Sequence, residues 1–147
     1  MTKLDNPYEA AFAAYLQSQG APHVSVNETR RSRAGDIALK NLDTIVSPIG
    51  HSTRWLIDIK GRRFPGGKKQ NRYWTNWSSS DDLRSMSNWE SLFGSPFKGL
   101  LLFAYRIEGE VSPLPAEQLF EFRSQRYAFL GISLTLYLSA ARLLSPK

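Results

Sequence analysis

Three side chains in the middle of the chain have the types and spacing that phosphate chemistry needs: Asp43, then Asp58-Ile59-Lys60. Two carboxylates offer the hard oxygen ligands that Mg²⁺ prefers, and such an ion keeps waters to complete its octahedron. The Ile59 backbone carbonyl is a candidate third ligand. The ion would lower the pKa of a water and polarise a phosphate. Lys60 would orient or activate that water and offset the negative charge developing on the phosphate. The expected chemistry is phosphodiester hydrolysis with Mg²⁺ or Mn²⁺ as cofactor.

Acid-x-Lys alone is weak, because a chain of this length should contain roughly one by chance. Its weight comes from the elements that must position it. Residues 42–48 (Leu-Asp-Thr-Ile-Val-Ser-Pro) and 54–60 (Arg-Trp-Leu-Ile-Asp-Ile-Lys) are short and rich in β-branched residues, and turn formers lie between them. They predict an antiparallel hairpin. Side chains two apart on a strand share a face, so Asp58, Lys60, Leu56 and Arg54 point the same way. Pairing Ser47 with Arg54 puts Ile45 opposite Leu56 and Asp43 opposite Asp58. Facing carboxylates repel, and a divalent cation between them removes the objection. A slip of one residue would send the acids to opposite faces.

The remaining elements follow from periodicity and punctuation. Asn6-Pro7 opens a helix with a capping residue and a first-turn proline. Tyr8, Phe12, Tyr15 and Leu16 form its apolar stripe, and Gly20 ends it. His23 to Asn27 predicts a short strand with Val24 and Val26 on one face, followed by a polar loop from Glu28 to Asn41. Residues 61–80 predict a long loop containing Gly61, Pro65, Gly66 and Gly67. A helix begins near Ser80, carries Leu83, Met86, Trp89 and Phe93, and stops at Gly94. Gly99 to Ile107 is an apolar strand buried on both faces. Glu108 to Gln118 is a turn-rich connection, Leu119 to Leu130 a hairpin around Ser124-Gln125, and residues 133–144 a last helix. The order is helix, three strands, helix, strand, hairpin and helix, in one α+β domain over residues 1–147.

Composition narrows the class. The 147 residues are 41% hydrophobic and 12% aromatic, enough for one domain with a real core. The absence of cysteine excludes disulfides and thiolate metal sites and fits a cytoplasmic protein. Two histidines are too few for a histidine-rich zinc site. Apolar stretches are too short or too interrupted to span a bilayer, and the N-terminal residues carry no secretory pattern. The net charge of +6 is concentrated: Lys60, Arg62, Arg63, Lys68, Lys69 and Arg72 follow one another with no acid between them. Arg30, Arg31 and Arg33 form a second cluster, diluted by Asp36. Beside two acids, such clusters would grip flanking phosphates, giving salt-sensitive binding with little sequence preference.

The order of elements and these residues resemble the PD-(D/E)XK nuclease superfamily. That resemblance implies a restriction-endonuclease-like core, a mixed central sheet flanked by helices in the order α-β-β-β-α-β, here with a C-terminal hairpin and helix added. It also implies a glutamate on the first helix, an aspartate on the second strand and acid-x-Lys on the third, which match Glu9, Asp43 and Asp58-Ile59-Lys60. The chain further resembles a small bacterial family named for its HYExAFE motif. Asn6-Pro7-Tyr8-Glu9-Ala10-Ala11-Phe12 is a variant of that signature. Leu56 to Phe64 and Phe122 to Gly131 also fit. Asn-Pro precedes Tyr8, and Ala13 replaces the final glutamate, which leaves Glu9 as the only helical acid. Glu9 would then hold a water or a second ion. The implied partner is nucleic acid, DNA favoured, and a homodimer would let so small a domain cut both strands together.

Each residue has a plainer alternative. Glu9 stands three after Asn6 and could cap its helix. Asp43 could be a turn residue and Lys60 a surface lysine. Asp58 lies mid-strand, where aspartate is disfavoured. Glu28 reads as a turn residue, and Trp74 and Trp77 as packing over the edge of the core rather than stacking on bases. The competing functions are a nucleic-acid-binding module without catalysis and an interaction protein in which acids and lysine form a buried ion network.

Overall fold

The computed structural model describes residues 6–26, 42–64, 77–109, 112 and 114–141. Helix α1 (Pro7–Ser18) starts where the sequence predicts, with Asn6 Oδ1 accepting the N–H groups of Tyr8 at 2.8 Å and Glu9 at 3.1 Å. Strands β1 (His23–Ser25), β2 (Thr44–Val46) and β3 (Arg54–Phe64) follow. Helix α2 (Ser80–Phe93) is capped by Ser79 and ends at Gly94, whose φ of 72° a side chain would resist. Strand β4 (Phe97–Ile107), a short 3-10 turn (Ala116–Gln118), β5 (Phe120–Phe122), β6 (Gln125–Ser133) and α3 (Leu134–Ala140) complete the order. It is the expected α-β-β-β-α-β core with a C-terminal hairpin and helix.

The six strands form one mixed sheet in the order β1-β2-β3-β4-β6-β5. Only β3 and β4 run parallel, and they pair over their whole lengths, from Arg54 against Phe97 to Phe64 against Ile107. Helix α1 covers one face, where Phe12 and Leu16 pack on Val46, Ile57 and Leu102. Helices α2 and α3 cover the other: Met86, Trp89 and Leu134 pack on Leu42 and Leu56, and Leu83 and Tyr137 on Leu101, Phe103 and Tyr105. The strand expected at Gly99 to Ile107 is therefore buried on both sides.

Several boundaries move. The predicted loop from Gly61 is strand up to Phe64, because the parallel ladder to β4 continues and Phe64 is buried in the core. Gly61 is there for space rather than for a turn: a Cβ would lie 2.3 Å from the Tyr8 ring. The hairpin turns at Arg123-Ser124, one residue earlier than expected, since Phe122 and Gln125 are the last pair. Both turn residues have positive φ, 53° and 65°, as a tight two-residue connection requires. The first strand stops at Ser25 with Val24 exposed. The last helix is shorter than expected, and residues 142–147 lie outside the described residues.

The Tyr8 ring is pinned by an edge contact with Tyr127 at 6.1 Å and by the Arg106 guanidinium at 5.6 Å. Gly61→Ala is therefore expected to destabilise the protein by about 1–3 kcal/mol. Urea unfolding measures this, and a variant as stable as wild type would show that Tyr8 yields freely.

Candidate functional site

The β2–β3 register is the one the sequence predicts, with Ile45 against Leu56. It slips at Asp43. The Asp43 N–H donates to the Ile57 carbonyl at 2.8 Å, although Thr44 already faces Ile57. Two residues thus stand against one, as in a β-bulge, which re-aims the side chain beside it. Asp43 is consequently not directly opposite Asp58, a correction to the expected pairing. Its Oδ2 accepts the Ile59 N–H at 2.8 Å instead. It does so while only 7% exposed.

The bulge aims Asp43 at helix α1. Asp43, Thr44 and Ile59 line a small cleft with Glu9 and Ser25, floored by Phe12 and Leu16. Glu9 reaches it from the first turn of α1. A strand residue sends its N–H and C=O out by the same edge, so the Ile59 carbonyl also faces the Asp43 side.

Asp58 and Lys60 point the other way, toward α2, on the face they share with Leu56 as expected. Asp58 is 3% exposed. Lys60 Nζ lies 3.0 Å from Asp58 Oδ2 and forms a second ion pair with Asp82 of α2. Burial pushes the Asp58 carboxyl up to about 7 from its ordinary 3.8. The charges of Asp43 and Asp82 push the same way, and Lys60 pulls it back. For Lys60, burial alone would lower the pKa, but Asp58 and Asp82 outweigh it and hold it above its ordinary value. Flanked by two carboxylates, Lys60 is an ammonium suited to stabilising anionic charge.

Arg62 continues this inward row. It is half-buried, donating to the carbonyls of Gly61 at 3.1 Å and Trp77 at 2.7 Å. Its guanidinium lies 5.0 Å from the Trp77 ring centre and 5.7 Å from that of Phe103. Burial lowers its pKa, against the pull of Tyr105, Asp58, Tyr137 and Asp82. An arginine expected to reach out to phosphates thus points into the fold, because the strand it sits on does not end at Lys60. Arg63, next along, is exposed. Trp77 is 53% exposed and lies over Arg62, close to the edge-packing role expected of it. Arg30, Arg31, Lys68, Lys69 and Arg72, with Glu28, Arg33, Asp36 and Trp74, lie outside the described residues.

Among the described residues, no three acidic or histidine side chains converge into a ready-made cage for an ion. Mg²⁺ needs less, since one or two carboxylates with waters suffice. Asp58 Oδ2 has the Lys60 ammonium as its ion-pair partner at 3.0 Å. With Asp43 buried at the edge of β3 that β2 leaves open beyond Ile57, two carboxylates of the kind a hard divalent cation takes lie on this strand.

The residue that sequence reasoning missed is Asp82. Ser79-x-x-Asp82 reads as a helix start, and Ser79 Oγ does accept the Asp82 N–H at 3.1 Å. The Asp82 carboxylate instead turns to Lys60. Its only signal in the sequence was an acid in the first turn of a helix that must cover the strand bearing Lys60.

The raised pKa of Asp58 has a signed consequence. The folded state holds the proton more tightly than the unfolded state, so the contribution of Asp58 to stability is full below about pH 4 and is lost as pH rises toward 7. Asp58→Asn removes this fall and leaves Lys60 paired with Asp82. It is expected to exceed wild type in stability at pH 8 by on the order of 2 kcal/mol, and by less at pH 5. Urea unfolding at both pH values is the check, and a variant less stable than wild type at pH 8 would contradict it.

No protein-family model matches the chain, and no curated protein does. The likeness to the HYExAFE family therefore rests on the residues quoted for it. Among the described residues, no helix is long and apolar enough to cross a membrane. Among solved structures, the chain is similar to Hjc, a Holliday junction resolvase from the archaeal hyperthermophile Archaeoglobus fulgidus. That similarity has 14% identity, covers 91% of this chain and 90% of that one, and has a TM-score of 0.47.

Proposed function

We propose that the protein is a metal-dependent nuclease hydrolysing phosphodiester bonds in nucleic acid, with DNA favoured. One observation carries this reading: a buried Asp58 ion-paired with Lys60 at 3.0 Å, with a second buried acid, Asp43, bonded to the N–H of the intervening Ile59. Burying two acids is costly unless something is gained from their charge. Asp43 and Asp58 would hold Mg²⁺ or Mn²⁺ around the edge of β3 that β2 leaves open beyond Ile57, with the Ile59 carbonyl as a further oxygen. When bound, the ion would supply Lewis-acid polarisation of the scissile phosphate.

The chain's own groups do the rest. Lys60 offsets charge gathering on the phosphate oxygens and orients the attacking water. Glu9, in the cleft with Asp43, positions a water on the α1 side. Arg63, from its exposed position, would grip a flanking phosphate, as would Arg30, Arg31, Lys68, Lys69 and Arg72. Arg62 supports the face beneath Lys60 rather than the polymer.

One observation favours a second reading. Lys60 shared between Asp58 and Asp82 is also what a purely structural ion network looks like. Cleavage of supercoiled plasmid and of labelled duplex, single-stranded and branched DNA, with Mg²⁺ or Mn²⁺, separates the two. The expected result is ion-dependent cutting that falls by about 10²-fold or more in Asp58→Ala and Lys60→Ala. If wild type and both variants are equally inert, the protein is no nuclease, and retained DNA binding would leave a non-catalytic binding module.

A further inference from the structure

We propose that Arg63 and Arg123 hold a sugar–phosphate strand of nucleic acid against the α1 face of the sheet, between the end of β3 and the β5–β6 turn. The inference rests on the nucleic-acid part of the reading above and says where the polymer lies.

Both arginines lie on the α1 face. A Cβ on Gly61 would meet the Tyr8 ring of α1, and Arg63, two residues on, points the same way. Arg63 stands directly beside Arg106 in the β3–β4 ladder, and Arg106 beside Tyr127 in the β4–β6 ladder. The Arg106 guanidinium over the Tyr8 ring confirms the face. On the hairpin, Phe120 contacts Tyr15 of α1 at 5.5 Å, so Phe122 shares that face. The Arg123 guanidinium lies over Phe122, 4.6 Å from its ring centre. A strand held there passes the first turn of α1, where Glu9 lines the Asp43 cleft.

Each arginine is placed at a local cost. Arg63 and Arg106 put like charges on neighbouring strands about 4.8 Å apart, where they repel. Arg106 is compensated, since its Nε donates to Glu108 Oε2 at 2.9 Å. Arg63 is exposed and has no ion-pair partner among the described residues. Arg123 has a φ of 53°, a left-handed conformation that asparagine, aspartate and glycine adopt more readily. Its exposed side chain also has no ion-pair partner among the described residues. Glu121 does not serve it, because Glu121 faces Arg126 on the opposite side of the hairpin. A polyanion with phosphates recurring along its length would offset both costs.

The test is fluorescence anisotropy of labelled duplex and single-stranded DNA with the full chain, in EDTA to prevent cleavage, across a salt series. Arg63→Gln and Arg123→Asn are each expected to weaken binding about three- to tenfold at low salt and to lower the salt slope by about one. Asparagine suits the left-handed position, so the turn is kept. Arg84→Gln removes the same charge from the exposed side of α2, where Arg84 pairs with Asp81 at 3.0 Å, and should leave binding within about twofold of wild type. Unchanged binding in Arg63→Gln or in Arg123→Asn overturns the inference while leaving the nuclease reading intact. An equal loss in Arg84→Gln also overturns it, since net charge alone would then explain the effect. Wild type that binds no DNA even at low salt overturns both. Wild type that binds through these arginines but never cuts removes the nuclease reading and supports this one.

Discussion

The parallel ladder between β3 and β4 forces Asp58, Lys60 and Arg62 onto a face that helices α2 and α3 cover. Their ladder partners are Leu101, Phe103 and Tyr105, all buried. Three charged groups in such a setting persist only if each finds compensation. Lys60 finds it in two carboxylates, and Arg62 in two carbonyls and two aromatic rings. Asp58 finds it in Lys60 at 3.0 Å, while the buried Arg62 Nε has no hydrogen-bond partner among the described residues.

β3 has two sides that meet at the edge β2 leaves open beyond Ile57. Its α2 side presents Asp58 and Lys60, and its α1 side meets Glu9 across the Asp43 cleft. Asp43 stands between the two, because its carboxylate bonds the Ile59 N–H at the strand edge. A three-residue β2 with a bulge at its start gives Asp43 that freedom. A longer, regular β2 would have set it squarely against Asp58, with like charges facing.

Much of this was legible in the chain. The Asn6-Pro7 start of α1 and the start of α2 near Ser80 were local signals that tertiary packing did not override. The Ile45–Leu56 register followed from two hydrophobic runs meeting at a short turn. The end of β3 was not legible, because Gly61 and two arginines look like a loop until β4 pairs with them and Tyr8 claims the space beside the glycine. For the same reason Arg62 looked like a phosphate grip: on a loop it would face water, and on a covered strand it faces Trp77 and Phe103.

Sequence by itself determined the order of elements, the shared face of Asp58 and Lys60, and the candidate acids, since these depend on local periodicity and residue type. Tertiary structure alone decided that Asp43 turns to α1, that Arg62 turns inward, and that Asp82 joins Lys60 from 22 residues away. Such outcomes depend on which strand pairs with which and what covers them. Those are contacts between segments distant in the chain, and spacing along it does not encode them.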